Sequence, residues 1–232
     1  MIPKIIHYCW FGGNPKPKLA EKCIASWKKY CPDWQIIEWN ESNFDVDMNG
    51  YTKMCLEQKK YAFLSDYVRL LVVAEQGGVY FDTDVELLRP IDELLENEAF
   101  FGFETPRYVA SGLGFGSVAH GTVIEAMLRE YDFLLAGTEG TRGCPILNTQ
   151  ALEKLGLVRD GSRQTVAGAL VLPVESLNPY ESSTGRLRKT KNTYSVHWYS
   201  ASWMRPATRL RVAITRPLHR LFGEDCLKWL KK

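Results

Sequence analysis

None of the six cysteines pair at C-x2-C or C-x4-C spacing, so the sequence offers no thiolate frame for zinc. The opening stretch, MIPKIIHYCWFGG, has too short an apolar run for a leader or a membrane anchor. With Met1 as the start, that places the chain in a reducing cytoplasm with free thiols. The Asn40-Glu41-Ser42 triplet is then a chance match to a glycosylation acceptor. Internal repeats, low-complexity tracts and a clear inter-domain linker are missing, and no nucleic-acid-binding motif is present. The glycines of SGLGFGS (111–117) do not fit the G-x-G-x-x-G spacing that a dinucleotide site places between a strand and a helix. They read instead as a strand that some neighbour, on the acceptor side of a site, must approach closely.

What is present is the composition of a globular protein of 232 residues, with 45% hydrophobic and 24% charged residues. Seven Trp and eleven Tyr supply rings for stacking on sugars or bases, or simply for a core. Net charge is near zero but unevenly spread. Residues 1–185 carry 17 Lys+Arg against 25 Asp+Glu, whereas residues 186–232 carry 12 against 2. A basic end on an acidic body suits an anionic surface. Within it, RLRVAITRPLHRLF alternates apolar residues with arginines, although Pro217 breaks any single helix. Such a stretch can lie on a membrane or can pack on the domain with a solvated face. The expected division is therefore residues 1–203 as the main domain and residues 204–232 as a basic amphipathic segment, with the protein peripheral on the inner face of the cell membrane.

The order of elements predicts an α/β fold. Lys4–Trp10 reads as a strand, Leu19–Tyr30 as a helix and Trp34–Trp39 as a second strand, a βαβ start to a mostly parallel sheet. Residues 51–76 read as helical, in two pieces, the second (YAFLSDYVRLLVVAEQ) apolar on most sides and hence buried. Gly77-Gly78 stops it and Val79–Phe81 is a strand. Residues 100–118 read as a hairpin or two strands, 122–136 as one amphipathic helix, and 137–185 as loops with short strands. His120 starts the helix without chemistry, and Tyr61, Tyr67 and Tyr80 are packing residues.

Asp82 and Asp84 stand at the carboxyl end of the Val79–Phe81 strand, where open α/β sheets bind their ligands. Spaced one residue apart, both side chains can point to one side of an extended backbone. Two such carboxylates repel unless a proton or a cation intervenes, and a hard divalent ion, Mg or Mn, fits oxygen ligands of this kind. An Asp-rich turn is the plain alternative. In the helix just before, Ser65, Asp66 and Arg69 form a narrow polar stripe among apolar neighbours. Asp66 and Arg69 share a face. A charged pair in such surroundings is costly unless it has a partner or a ligand.

Together, IHYCWFGG and YAFLSDYVRLLVVAEQGGVYFDTDVELLRP resemble the DXD-containing glycosyltransferases of family 32, strongly over residues 1–100 and loosely beyond. That family includes bacterial capsule and lipopolysaccharide sugar transferases, fungal initiating mannosyltransferases and, more distantly, clostridial toxin glucosyltransferase domains. The resemblance implies a GT-A fold, a nucleotide-sugar donor, Mn2+ or Mg2+, and retention at the anomeric carbon. It makes Asp84 a direct metal ligand and gives Asp82 the metal and the donor ribose. Asp66 and Arg69 take the donor sugar, and Trp10 the nucleotide base. In HWYSASW (197–203) it makes His197 a metal ligand and Ser202 and Trp203 contacts of the diphosphate; Asn148 matches a polar residue near the sugar. The expected activity is hexose transfer from UDP-galactose or UDP-glucose to a glycan or lipid-linked oligosaccharide in polysaccharide synthesis, with no nucleic-acid partner. Two alternatives stand beside it: a sugar-nucleotide binder without catalysis, and a phosphatase that uses the first Asp of D-x-D as nucleophile.

Overall fold

The computed structural model describes residues 1–137, 140–200, 215–223 and 226. The elements are β1 (Ile5–Cys9), α1 (Lys18–Tyr30), β2 (Gln35–Trp39), α2 (Gly50–Glu57), α3 (Tyr61–Gln76), β3 (Gly78–Tyr80), β4 (Val85–Leu87), β5 (Ala99–Thr105), β6 (Tyr108–Val109), β7 (Phe115–Ser117), α4 (Thr122–Arg129), α5 (Asp132–Leu135), α6 (Cys144–Lys154), β8 (Gln164–Val166), β9 (Ala169–Leu172), α7 (Val174–Leu177), β10 (Tyr180–Glu181), β11 (Arg186–Leu187) and β12 (Ser195–His197). The central sheet runs β2-β1-β3-β7-β5-β9-β8, with β6 beside β5. Strands β2, β1, β3, β5 and β9 all point one way, and β7 and β8 run against them. The sheet is thus mixed and mostly parallel, with helices on its faces.

Local chemistry accounts for the elements that carry the site. In α1, Ala20, Cys23 and Trp27 are buried at helical spacing, and Lys28 and Lys29 in the last turn suit the negative end of the dipole. Asn49 caps α2 by accepting the Thr52 N–H (2.9 Å). α3 ends at Gly77, whose φ of +68° favours glycine and whose N–H donates to the Val73 carbonyl (2.8 Å). A Cβ on the next glycine, Gly78 (φ +110°), would lie 2.8 Å from the Ile5 carbonyl oxygen, so this glycine lets β3 pair with β1. His7 fixes the same junction. Its Nδ1 accepts from Trp39 Nε1 (3.1 Å), which leaves Nε2 to donate to the Gly77 carbonyl (2.9 Å). Burial lowers the His7 pKa, in keeping with a neutral ring.

Two buried clusters cover the two faces. One joins α2, α3, α4 and α6 to the sheet, with Leu64, Val68, Leu70, Val73 and Phe115 among its members. The other lies under α1 and includes Trp27, Phe81, Val85 and Leu113. Each buried aliphatic of α3 contributes roughly 1.5–3 kcal/mol, enough in sum to offset a costly polar stripe on the same helix. Trp27 reaches across to β4, where its Nε1 donates to the Val85 carbonyl (2.8 Å), and Ser26 Oγ accepts the Leu87 N–H (2.9 Å). α1 thereby holds the strand that follows Asp84.

Two expectations change. The helix expected over 122–136 is two, α4 and α5, separated where Tyr131 turns fully inward against Tyr51 and Tyr67. Residues 137–185, expected as loops with short strands, contain α6 as well as β8, β9 and α7. α6 buries Cys144, Leu147, Asn148, Ala151 and Leu152 at helical spacing, with Thr149 beside them, but Asn148 and Thr149 are polar and Ile146 is exposed, so the buried face shows no clear apolar stripe in the sequence. Pro145 sits in its first turn, where the missing N–H costs nothing. The boundary at 203/204 lies outside the described residues. Within the basic segment, a helix at 215–222 carries Pro217 near its start, and Arg216 Nε donates to the Ser182 carbonyl (3.0 Å) beside the β10–β11 hairpin. Among the described residues, no helix is long and apolar enough to cross a membrane.

Candidate active site

Asp82 and Asp84 flank the turn from β3 to β4, and the Val85 N–H donates to the Asp82 carbonyl (2.9 Å). β12 pairs antiparallel with β4 and sets His197 opposite Val85. A segment more than a hundred residues later in the chain is thereby fixed beside the two acids. One ligand atom from each of Asp82, Asp84 and His197 lies within 4.8 Å of the others. His197 Nε2 is 3.1 Å from Asp84 Oδ1, while Asp84 Oδ2 accepts the Ser200 N–H (2.6 Å).

On α3, Arg69 links Asp66 to the first of the two acids. Its Nη2 donates to Asp66 Oδ1 (2.6 Å) and lies 3.3 Å from Asp82 Oδ1. Its Nε donates to the Ser65 carbonyl (3.0 Å), which fixes the fork, and Nη1 is buried without a partner. Tyr80 lies under the guanidinium, 5.0 Å from its carbon to the ring centre, and its hydroxyl donates to Asp82 Oδ1 (3.0 Å). Tyr80 is therefore more than the packing residue the sequence suggests. Gly112 closes the other side. A Cβ there would stand 2.6 Å from Asp82 Oδ2 and 3.0 Å from Arg69 Nη1. The glycine-rich stretch does bring a close approach, but to the Asp82–Arg69 pair; Ser111–Leu113 is a 3-10 turn and only Phe115–Ser117 is strand. Replacing Gly112 with alanine should displace Asp82 and weaken divalent-cation binding about tenfold, roughly 1.4 kcal/mol. Calorimetric titration alongside a thermal melt checks this; wild-type affinity would show that the approach is not required.

Asn148 reaches the same place through that turn. Its Oδ1 accepts the Ser111 N–H (3.0 Å) and its Nδ2 is buried without a partner. Trp10 follows β1, which neighbours β3, and the register of the two strands sets Cys9 level with Asp82 and Trp10 one residue beyond. Its Nε1 donates to the Asn14 carbonyl (2.7 Å), Lys16 Nζ lies 5.8 Å from its ring centre, and the ring also packs partly on the core under α1. Ser202 and Trp203 lie outside the described residues. Sequence reasoning gave Tyr80 no chemistry and did not single out Cys144. Burial raises the Asp66 pKa, and Arg69 and then Cys144, in the first turn of α6, oppose it.

The electrostatics fit a cation. Burial, and then the neighbouring Asp84, raise the Asp82 pKa even though Arg69 opposes them. Burial also opposes ionisation of Asp84, yet His197 and Ser200 hold its carboxyl well below the usual range. His197 is buried, which disfavours its charged form, but Asp84 raises its pKa above the ordinary value. Two carboxylates and one imidazole on a rigid strand pair are a donor set suited to Mn2+ or Mg2+, whose positive charge would offset the repulsion between the acids.

Residues 17–101 match the family described as the glycosyltransferase sugar-binding region containing the DXD motif. Inositol phosphoceramide mannosyltransferase 3 of Schizosaccharomyces pombe is 28% identical over 123 residues, which is 49% of this chain and 33% of that protein. Human alpha-1,4-N-acetylglucosaminyltransferase is 29% identical over 174 residues, 73% of this chain and 45% of that protein. The chain thus spans less than half the length of these curated relatives. Among solved structures, PaToxG glycosyltransferase superposes with a TM-score of 0.52 at 20% identity, covering 66% of this chain and 69% of that one. A glycosyltransferase involved in glycosylation of the major capsid of PBCV-1 gives 0.50 at 12% identity, covering 91% of this chain and 100% of that one.

Proposed function

We propose, from the premise that residues 17–101 are the DXD-type sugar-binding region of a chain with the GT-A glycosyltransferase fold, that the protein moves a hexose from a nucleotide sugar to a hydroxyl acceptor with retention of configuration. The observation that supports this best is the junction of two groups of side chains. Arg69 ties Asp66 to Asp82, and Asp82 stands with Asp84 and His197. A sugar-hydroxyl site and a cation site would therefore meet at the Arg69–Asp82 contact, an arrangement that suits a sugar diphosphate.

Asp82, Asp84 and His197 would hold Mn2+ or Mg2+, which when bound supplies positive charge to the diphosphate as the sugar leaves. Asp66, Arg69 and Asn148 would take sugar hydroxyls; Arg69 Nη1 and Asn148 Nδ2 are buried donors with no partner among the described residues. Trp10 would stack on the base, and Ser202 and Trp203 would contact the diphosphate. In the front-face reaction, the acceptor oxygen bonds to the anomeric carbon as the bond to phosphate oxygen breaks. The electron pair of that bond stays on the phosphate, and the acceptor's proton passes to the same departing oxygen. No protein base is assigned, because retention needs none on the opposite face. UDP-galactose and UDP-glucose are the donors proposed, with a glycan or lipid-linked oligosaccharide as acceptor in capsule or lipopolysaccharide synthesis. The charge of residues 204–232 supports an anionic membrane surface, which vesicle flotation tests.

A thermal-shift panel of UDP- and GDP-sugars with Mn2+ tests the donor. A rise in melting temperature with UDP-hexoses is expected. A rise with none of the nucleotides would remove the reading.

A further inference from the structure

A second polar cluster occupies the same edge of the sheet, on the β5 and β9 side of the acids. Glu104 stands near the carboxyl end of β5, Asn178 follows α7 just beyond β9, and Tyr199 lies two residues after His197. β3 and β5 run in one direction with β7 between them, and their register sets Tyr80 level with Phe101, so Glu104 lies two strand spacings across and three residues further out, about 14 Å from the end of β3.

The hydrogen bonds of this cluster run one way. Asn178 Nδ2 donates to the Glu104 backbone carbonyl (2.9 Å) and to the Tyr199 hydroxyl (2.8 Å). The Tyr199 hydroxyl in turn donates to Glu104 Oε1 (3.2 Å). Two costs accompany the arrangement. Tyr199 has φ +48°, uncommon for a bulky side chain, and Asn178 Oδ1 is buried without a partner. Strain and an orphaned amide oxygen at one spot mark a geometry held for a ligand. Tyr199 also packs on the candidate metal ligand, with its ring centre 4.1 Å from that of His197.

Glu104 is half-buried and, among the described residues, its Oε2 accepts no hydrogen bond. A carboxylate oxygen with this spare capacity suits a hydroxyl donor. It repels a nucleoside diphosphate, so the cluster fits a neutral sugar rather than the donor's anionic half. We propose that Glu104 binds the acceptor sugar, accepting a hydrogen bond from a hydroxyl next to the reacting one, and that Tyr199 and Asn178 position its carboxylate. The proton of the reacting hydroxyl still passes to the departing phosphate oxygen, so Glu104 keeps its charge throughout. This rests on the transferase reading and adds the acceptor side to it.

The test uses the full chain with Mn2+, UDP-galactose and UDP-glucose, and the methyl glycosides of galactose, glucose and mannose at high concentration. The readout is the ratio of glycosylated product to donor hydrolysed by water, which a loss of active protein does not move. The wild type should glycosylate at least one glycoside. Glu104→Gln should lower the ratio at least tenfold, and Tyr199→Phe should lower it less; the latter decides the matter if Glu104→Gln does not fold. A wild-type ratio in the folded variant overturns the proposal, as does a wild type that hydrolyses donor yet glycosylates no glycoside. A wild type that hydrolyses no donor overturns the transferase reading instead.

Discussion

Asp84→Asn should lower metal-dependent turnover of the nucleotide sugar by about 10²–10³-fold, the scale of losing one fixed electrostatic contact at a developing charge. The substitution keeps an oxygen that can accept the Ser200 N–H but removes the negative charge. It leaves the Trp198 N–H donating to the backbone carbonyl of residue 84 (3.0 Å), so β12 should stay in place. The measurement is nucleoside diphosphate release with Mn2+, alongside circular dichroism to verify the fold. His197 loses its partner carboxylate in the same step, so the variant should also bind Mn2+ weakly by titration. Near wild-type release would mean that Asp84 has no part in the chemistry.

The largest expected stability effect is at Arg69. Its guanidinium lies between two carboxylates, with Asp66 and Asp82 both on Nη2. Arg69→Ala leaves the buried Asp66 without its guanidinium and the half-buried Asp82 with the Tyr80 hydroxyl but no cation, which costs about 3–5 kcal/mol. For a chain of this size that is a fall in melting temperature on the order of 10 °C. Arg69→Lys keeps the charge but not the planar fork, and should lose less stability while still losing donor affinity. Urea unfolding of the three proteins measures the order wild type, lysine, alanine. A cost below about 1 kcal/mol for alanine would show that the acids find another partner or stay protonated.

The half of the fold that carries Asp66, Arg69, Asp82 and Asp84 could be read from the sequence because its signals are local. KIIHYCW, the α1 spacing and the Gly77-Gly78 stop each specify their own element, and the structure places β1, α1, β2, α3 and β3 close to where they were expected. The S-D-x-x-R stripe was informative because two charges amid apolar neighbours need a reason, and Arg69 does join Asp66 to Asp82. Other features depend on pairings far apart in the chain. The β12–β4 ladder that brings His197 to Asp84 involves three residues on each strand, too few for any period to show. α6 was missed because its buried face includes the polar Asn148 and Thr149 while the apolar Ile146 is exposed, and because GTEGTRG before it reads as loop. Tyr80 was undervalued for a related reason. A tyrosine in an apolar strand looks like packing, and only the fold shows its hydroxyl meeting Asp82. The Glu104–Tyr199–Asn178 cluster joins three distant segments and leaves no sequence trace.

The account depends on two acids and a histidine that act through a divalent cation. The direct measurement is UDP release from UDP-galactose and UDP-glucose by chelator-treated protein, before and after Mn2+ is added back. No release without the metal and full recovery with it is the predicted result. Undiminished release in chelator would contradict the account.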